Sequence, residues 1–366
     1  MIPAIFFFLL LGAAIAFANG SNDVSKGIAT LAGSGVTNLR RAILWGTVWT
    51  GLGALAAALV AKALVRTFAT GMLAAGTHPT IATTLAVICG AALWVAISTR
   101  HGLPVSTTHA IVGAVSGVAM VAFGLGGMNW AVLAGTVALP LLLSPVAALV
   151  LTALSVRILN AVAPQTDCVC LEAAQPALAM GTGAVATAPI IHLNTCAALE
   201  RGSGVAGIIF DHLHWLTSAA TSFSRGLNDT PKMAALIIGG ILLSQHSPIP
   251  RFWTIIVVAA GIVTGSWFAG RRVSDVLARK LIRIDHREGF IANLVTAALV
   301  GPGAALGLPM STTHVSSVAI LGLCSRERNP NISLVRDMIL AWIVTLPGAA
   351  LLAVGVYLML RIAGVK

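Results

Sequence analysis

The sequence predicts an all-α polytopic membrane protein of about 10–12 membrane segments, arranged as two inverted-topology repeats that each contain a broken helix and a re-entrant helical hairpin. Three observations predict it: extreme hydropathy, a pair of motifs that recur at one offset, and a lopsided distribution of basic residues.

Of 366 residues, 57% are hydrophobic and 9% charged, and the mean hydropathy is +0.94, far above the range of water-soluble domains. A bilayer core takes roughly 20 apolar residues per helical crossing. Runs of that kind extend from Ile2 to Phe17, Ala42 to Ala63, Ile81 to Ile97, Trp130 to Leu154, Phe252 to Phe268 and Met338 to Leu360. The first reads as a retained helix, because no small-residue cleavage site with a polar start follows it.

Residues 19 to 31 read N-G-S-N-D-V-S-K-G-I-A-T-L and residues 225 to 236 read R-G-L-N-D-T-P-K-M-A-A-L; both carry G-x-N-D-x-x-K. A second pair follows, G-L-P-V-S-T-T-H at 102 to 109 and G-L-P-M-S-T-T-H at 307 to 314. The offsets are 206 from Asn22 to Asn228 and 205 from Ser106 to Ser311, a coincidence that tandem duplication explains. The expected division is a first repeat over 1–157, a cytoplasmic linker over 158–204 and a second repeat over 205–366.

Each half parses as a broken helix, a full span, a pair of half-helices with P-x-S-T-T-H near the tip, and a last span. An odd number of crossings per half inverts the second copy. With both termini outside, thirteen basic residues (Arg40, Arg41, Arg157, Arg201, the six from Arg271 to Arg287, Arg326, Arg328 and Arg336) face the cytoplasm and five face outward (Lys62, Arg66, Arg251, Arg361 and Lys366), as inner-membrane insertion favours. The net charge of +11 therefore reports topology rather than a nucleic-acid partner.

No phosphate loop, dinucleotide fingerprint or H-E-x-x-H motif occurs, and no catalytic cluster stands apart from the duplicated motifs, so no enzyme and no resident cofactor is expected. Cys168, Cys170 and Cys196, near His192, lack the spacing of a zinc knuckle, and no metal site is assigned to them. Abundant small residues suit close helix packing and a homodimer.

Asp23 is the only carboxylate in the first 166 residues. A charge within a membrane segment costs about 2.5–3.5 kcal/mol on insertion scales, which marks Asp23 and its counterpart Asp229 as functional and paired. Lys26 and Lys232 lie three residues on, on the same helix face; a structural ion pair is the plainer reading of them. In P-x-S-T-T-H, Pro and Ser suit a helix start, whose free amides and positive dipole end attract anions. Ser106, Thr107, Thr108, Ser311, Thr312 and Thr313 add hydroxyl donors. Two such ends facing each other can surround a tetrahedral oxyanion at mid-membrane. His109 and His314 close the motifs, as proton relays or packing residues. His212 and His214 read as interfacial. Arg100 and His101 mark the first hairpin turn.

Together these motifs resemble the PiT-type inorganic phosphate transporter family (phosphate:cation symporters), whose pattern is G-A-N-D-V-A-N followed by P-x-S-T-T-H. The likeness spans nearly the whole chain. It implies a central phosphate held by the two S-T-T clusters and symport of Na⁺ or H⁺, with cation sites at Asn22, Asp23, Asn228 and Asp229 in members that use sodium. From the residues themselves, Asn22, Asn228, Lys26 and Lys232 are also expected to face the anion, and the opposed half-helices suit an occluded site and alternating access. Where that family has Asn three residues after each Asp, this chain has Lys26 and Lys232. A tethered ammonium in place of Na⁺ at Asp23 and Asp229 favours proton coupling. Phosphate keeps a proton that a carboxylate can accept, whereas sulfate has none. Lysines that neutralise both carboxylates would admit sulfate, and a passive anion channel is the other alternative.

Overall fold

A backbone in hydrocarbon must satisfy its own amides and carbonyls, and the apolar runs accordingly form helices. The computed structural model describes residues 2–60, 62–162, 170–171, 191–192, 205–243, 251–281, 284–324 and 330–365. In the first half lie α1 (Ile2–Asp23), α2 (Ser25–Gly33), α3 (Leu39–Val60), the short α4 (Lys62–Arg66), α5 (Ile81–Arg100), α6 (Thr107–Phe123) and α7 (Leu139–Val162). The second half contains α8 (Val205–Leu243), α9 (Arg251–Ala269), α10 (Arg271–Arg279), α11 (His286–Ala305), α12 (Thr312–Leu321) and α13 (Ile332–Ile362). Seven helical segments among the described residues are long and apolar enough to cross a membrane. Beside these stand α6 and α12, shorter apolar helices, and α8, which carries its polar motif at mid-length; the chain is a multi-pass membrane protein.

The halves interlock. The first helix of each lies along the second span of the other, α1 on α9 and α8 on α3, and the last helix of each covers the other's hairpin, α13 against α5 and α6, α7 against α11 and α12. Lipid offers no hydrophobic drive for helix association, so close packing of small residues takes over. The glycine of each G-x-N-D motif lies against the backbone of the helix it packs on. A methyl at Gly20 would meet the Ile262 carbonyl oxygen at 2.1 Å, and one at Gly226 the Thr50 carbonyl oxygen at 2.1 Å. Backbone cannot yield there as a side-chain tip could. Gly226→Ala is expected to lower the thermal midpoint in detergent by the equivalent of about 3 kcal/mol, whereas Gly239→Ala, in the same helix but facing open space, leaves it unchanged or higher.

Each hairpin turns on a glycine with positive φ, Gly102 at 72° and Gly307 at 80°. The Leu103 amide then donates to Ser98 O at 3.0 Å and the Leu308 amide to Gly303 O at 2.8 Å, a matched pair of helix terminations. An Arg272 guanidinium nitrogen also donates to the Arg100 carbonyl, at the carbonyl-rich end of α5.

Three details differ from the sequence expectation. The first motif helix breaks at Val24 between α1 and α2, but α8 continues through its motif with Pro231 inside the helix. Packing along α3 and α11 keeps it helical where proline removes one backbone bond. The first arms of the hairpins, α5 and α11, have 20 residues each, a full crossing in length, against 17 in α6 and 10 in α12. Finally, α7 runs to Val162, beyond residue 157 where the first repeat was drawn to end. Of the linker, a two-residue antiparallel pairing of Cys170–Leu171 with Ile191–His192 is described; Cys168 and Cys196, like Arg201, Arg283, Arg326, Arg328 and Lys366, lie outside the described residues.

Candidate functional site

The four duplicated motifs converge at one buried point. Ser106 and Ser311 cap their helices in the same way: each hydroxyl accepts from the amide three residues on, His109 or His314, at 3.2 Å. Thr107 and Thr312 therefore open α6 and α12, whose first-turn amides an isolated helix leaves unmet. The two caps touch, with Ser311 Oγ donating to Ser106 Oγ at 2.9 Å. Thr108 Oγ1 donates to Met310 O at 3.3 Å, and Thr313 Oγ1 to Val105 O at 2.8 Å. Each hairpin thus grips the residue preceding the other's serine.

The asparagines hold the same two turns from the motif helices. Val105 N donates to Asn22 Oδ1 at 3.2 Å and Met310 N to Asn228 Oδ1 at 3.3 Å. Asn22 Nδ2 also donates to Thr99 Oγ1 and Leu103 O, and Asn228 Nδ2 to Met310 O. Both asparagines are fully buried. Their contacts are the reason a short amide side chain stands there: one group supplies the donor and the acceptor that a sharp turn leaves open.

Both carboxylates meet their lysines. Lys26 Nζ lies 2.9 Å from Asp23 Oδ1 and donates at 2.8 Å to both the backbone oxygen and Oδ1 of Asn22. Lys232 Nζ lies 3.2 Å from Asp229 Oδ1 and reaches across to Thr108 Oγ1 at 2.7 Å and Met310 O at 3.0 Å. All four charged groups are buried. Asp23 Oδ2 faces the hairpins and accepts from Thr107 Oγ1 at 3.3 Å.

Behind the caps, His109 Nδ1 lies 2.8 Å from Ser106 Oγ, and the His109 and His314 rings pack at a 51° tilt with centroids 4.5 Å apart. Trp342 packs at a tilt 4.2 Å from His314 and donates its indole N–H to Pro104 O. The structure thus gathers Asn22, Asp23, Lys26, Asn228, Asp229, Lys232, both S-T-T runs and both histidines. His214 differs from its interfacial assignment. It is fully buried, with Nε2 3.0 Å from Thr30 Oγ1, while His212 stays exposed.

Sequence reasoning passed over Asn19 and Arg225. The Asn19 amide donates to Asp23 Oδ2 at 2.8 Å, Thr107 Oγ1 at 3.1 Å and Asp229 Oδ2 at 3.3 Å, so one nitrogen joins both halves' carboxylates. Arg225 occupies the equivalent position of the second motif and is 1% exposed. The available signal was spacing: each stands four residues before its Asp, on the same helix face.

The sequence matches the phosphate transporter family over residues 19–353. A Pyrococcus abyssi protein whose name assigns it to the phosphate permeases is 27% identical over 100% of both chains. The chloroplastic inorganic phosphate transporter 2-1 of Arabidopsis thaliana is 26% identical over 94% of this chain and 70% of its own length. Among solved structures, one described as the sodium-dependent phosphate transporter superposes with a TM-score of 0.80 over 98% of this chain and 99% of that one, at 21% identity, a likeness of fold.

Proposed function

Because the chain belongs to the phosphate transporter family, we propose that it carries inorganic phosphate across the cytoplasmic membrane by alternating access, coupled to protons, with its halves inserted in opposite orientations and both termini outside. The observation that carries this reading is the meeting of the two capped helix starts, Ser311 Oγ to Ser106 Oγ at 2.9 Å, over two buried carboxylates that share the Asn19 amide. Helix starts draw anions, and hydroxyls replace an anion's water without adding charge. Thr107, which touches both Asn19 and Asp23, stands where substrate and carboxylate would meet.

The lysines bear on the cation. Lys26 Nζ is surrounded by three oxygens, Asn22 O, Asn22 Oδ1 and Asp23 Oδ1, all within 2.9 Å. That is the donor set a hard cation would take, and here the chain supplies its own. The same pairing supports a second reading, sulfate transport, because carboxylates already neutralised do not repel an anion lacking a proton.

Radiolabelled phosphate uptake into proteoliposomes, with sulfate as competitor and Na⁺ and pH gradients imposed separately, tests both. The expected result is saturable accumulation against the phosphate gradient, driven by pH at zero Na⁺ and weakly inhibited by sulfate. Thr107→Val should abolish it while the protein still inserts. Equal competition by sulfate would favour the second reading, and flux that never exceeds equilibrium would indicate a channel.

A further inference from the structure

Arg225 is the fifth buried charge among the described residues, alongside Asp23, Lys26, Asp229 and Lys232. Both carboxylates are already paired with lysines, so the buried set carries one positive charge in excess. The guanidinium has only neutral partners: Nε donates to Thr50 Oγ1 at 3.2 Å and Nη2 to Ser266 Oγ at 3.2 Å. Each partner is anchored in turn, Thr50 on Ser222 O and Ser266 on Gly20 O. The third nitrogen, Nη1, is buried with no hydrogen-bond partner among the described residues.

A buried cation left with an open donor is costly in a membrane and marks a functional position. It stands at the repeat position of Asn19, whose amide reaches both carboxylates and Thr107, and four residues before Asp229 on the same helix face. We infer that Arg225 is an anion-binding residue of this site, held by Thr50 and Ser266 so that Nη1 takes an oxygen of the transported oxyanion. The inference rests on the transport reading above and deepens it. One negative charge brought by the substrate completes the buried set, and the anion is drawn toward the second-half side of the pseudo-twofold site, where the other copy offers only an amide. Guanidinium suits this task because its planar fork can be clamped by two nitrogens and still present a third.

The test uses wild-type, Arg225→Gln and Arg225→Lys protein in proteoliposomes and detergent, with inorganic phosphate as the probe. Phosphate should raise the thermal midpoint of the wild type. Arg225→Gln should raise KM roughly tenfold to hundredfold, the equivalent of one charged hydrogen bond, and lose most of the phosphate-induced thermal shift. Arg225→Lys, which keeps the charge and loses the fork, should fall between the two. A role confined to bracing α8 against α3 and α9 would reduce folded protein but leave KM and the phosphate-induced shift intact, and that result overturns the inference. Should Arg225→Gln fail to fold, an unchanged KM in Arg225→Lys overturns it equally. Wild-type protein that neither binds nor carries phosphate would refute the transport reading itself, and the inference with it.

Discussion

Uptake by the double variant Lys26→Asn, Lys232→Asn will require sodium ions, and uptake by the wild-type chain will not. Removing the two ammonium groups leaves Asp23 and Asp229 buried without their cations, together with the Asn22 oxygens that Lys26 Nζ occupied. Breaking a buried pair from one side costs about 3–5 kcal/mol, so in sodium-free medium uptake by the double variant should fall by a factor of about a hundred or more. A small cation from solution can fill the vacated positions, and sodium should restore both uptake and thermal stability. The substitution installs the residue that the resembling family carries there. Wild-type uptake that stops without Na⁺, or a double variant indifferent to it, would remove the lysines from this role.

The second large effect belongs to Asp23. Asp23→Asn should abolish uptake and lower the thermal midpoint, because Lys26 loses its counter-charge at full burial and the amide's single oxygen can serve Lys26 or the Asn19 and Thr107 donors, but not both. Pairing it with Lys26→Met removes both charges, and neutralising a buried ion pair is often close to neutral for stability. The double variant should therefore recover its thermal midpoint and remain inactive. Recovered transport would reduce Asp23 to a structural partner of the lysine, the plainer reading of the pair.

The fold class was legible because lipid leaves a chain so few options: long apolar runs had to be helices, and the recurrence of whole motifs placed the pairs that now touch, Ser106 with Ser311 and His109 with His314. What stayed hidden lay where the two copies differ. Asn19 and Arg225 occupy one repeat position with different side chains, so a search for shared residues passes over both. The partners of Arg225 come from α3 and α9, which carry no motif, and Thr50 and Ser266 look like ordinary membrane hydroxyls until the helices are packed. The broken motif helix expected in the second half instead runs unbroken through Pro231, held by neighbouring helices that local sequence does not show. His214 looked interfacial from its neighbours Asp211 and His212; its burial depends on α2 and α11, where it meets Thr30 and crowds Gly289.

The direct hydrogen bonds between the hairpin tips set an energy scale for opening the protein. Ser311 to Ser106, Thr108 to Met310 and Thr313 to Val105 form a zipper of three, and any movement that admits cargo between the tips has to undo it. At about 1 kcal/mol net apiece, that zipper alone would hold the parted arrangement to roughly one molecule in a hundred. A ligand that supplies replacement acceptors to the freed hydroxyls could tip so shallow a balance, so the cargo itself can serve as the key.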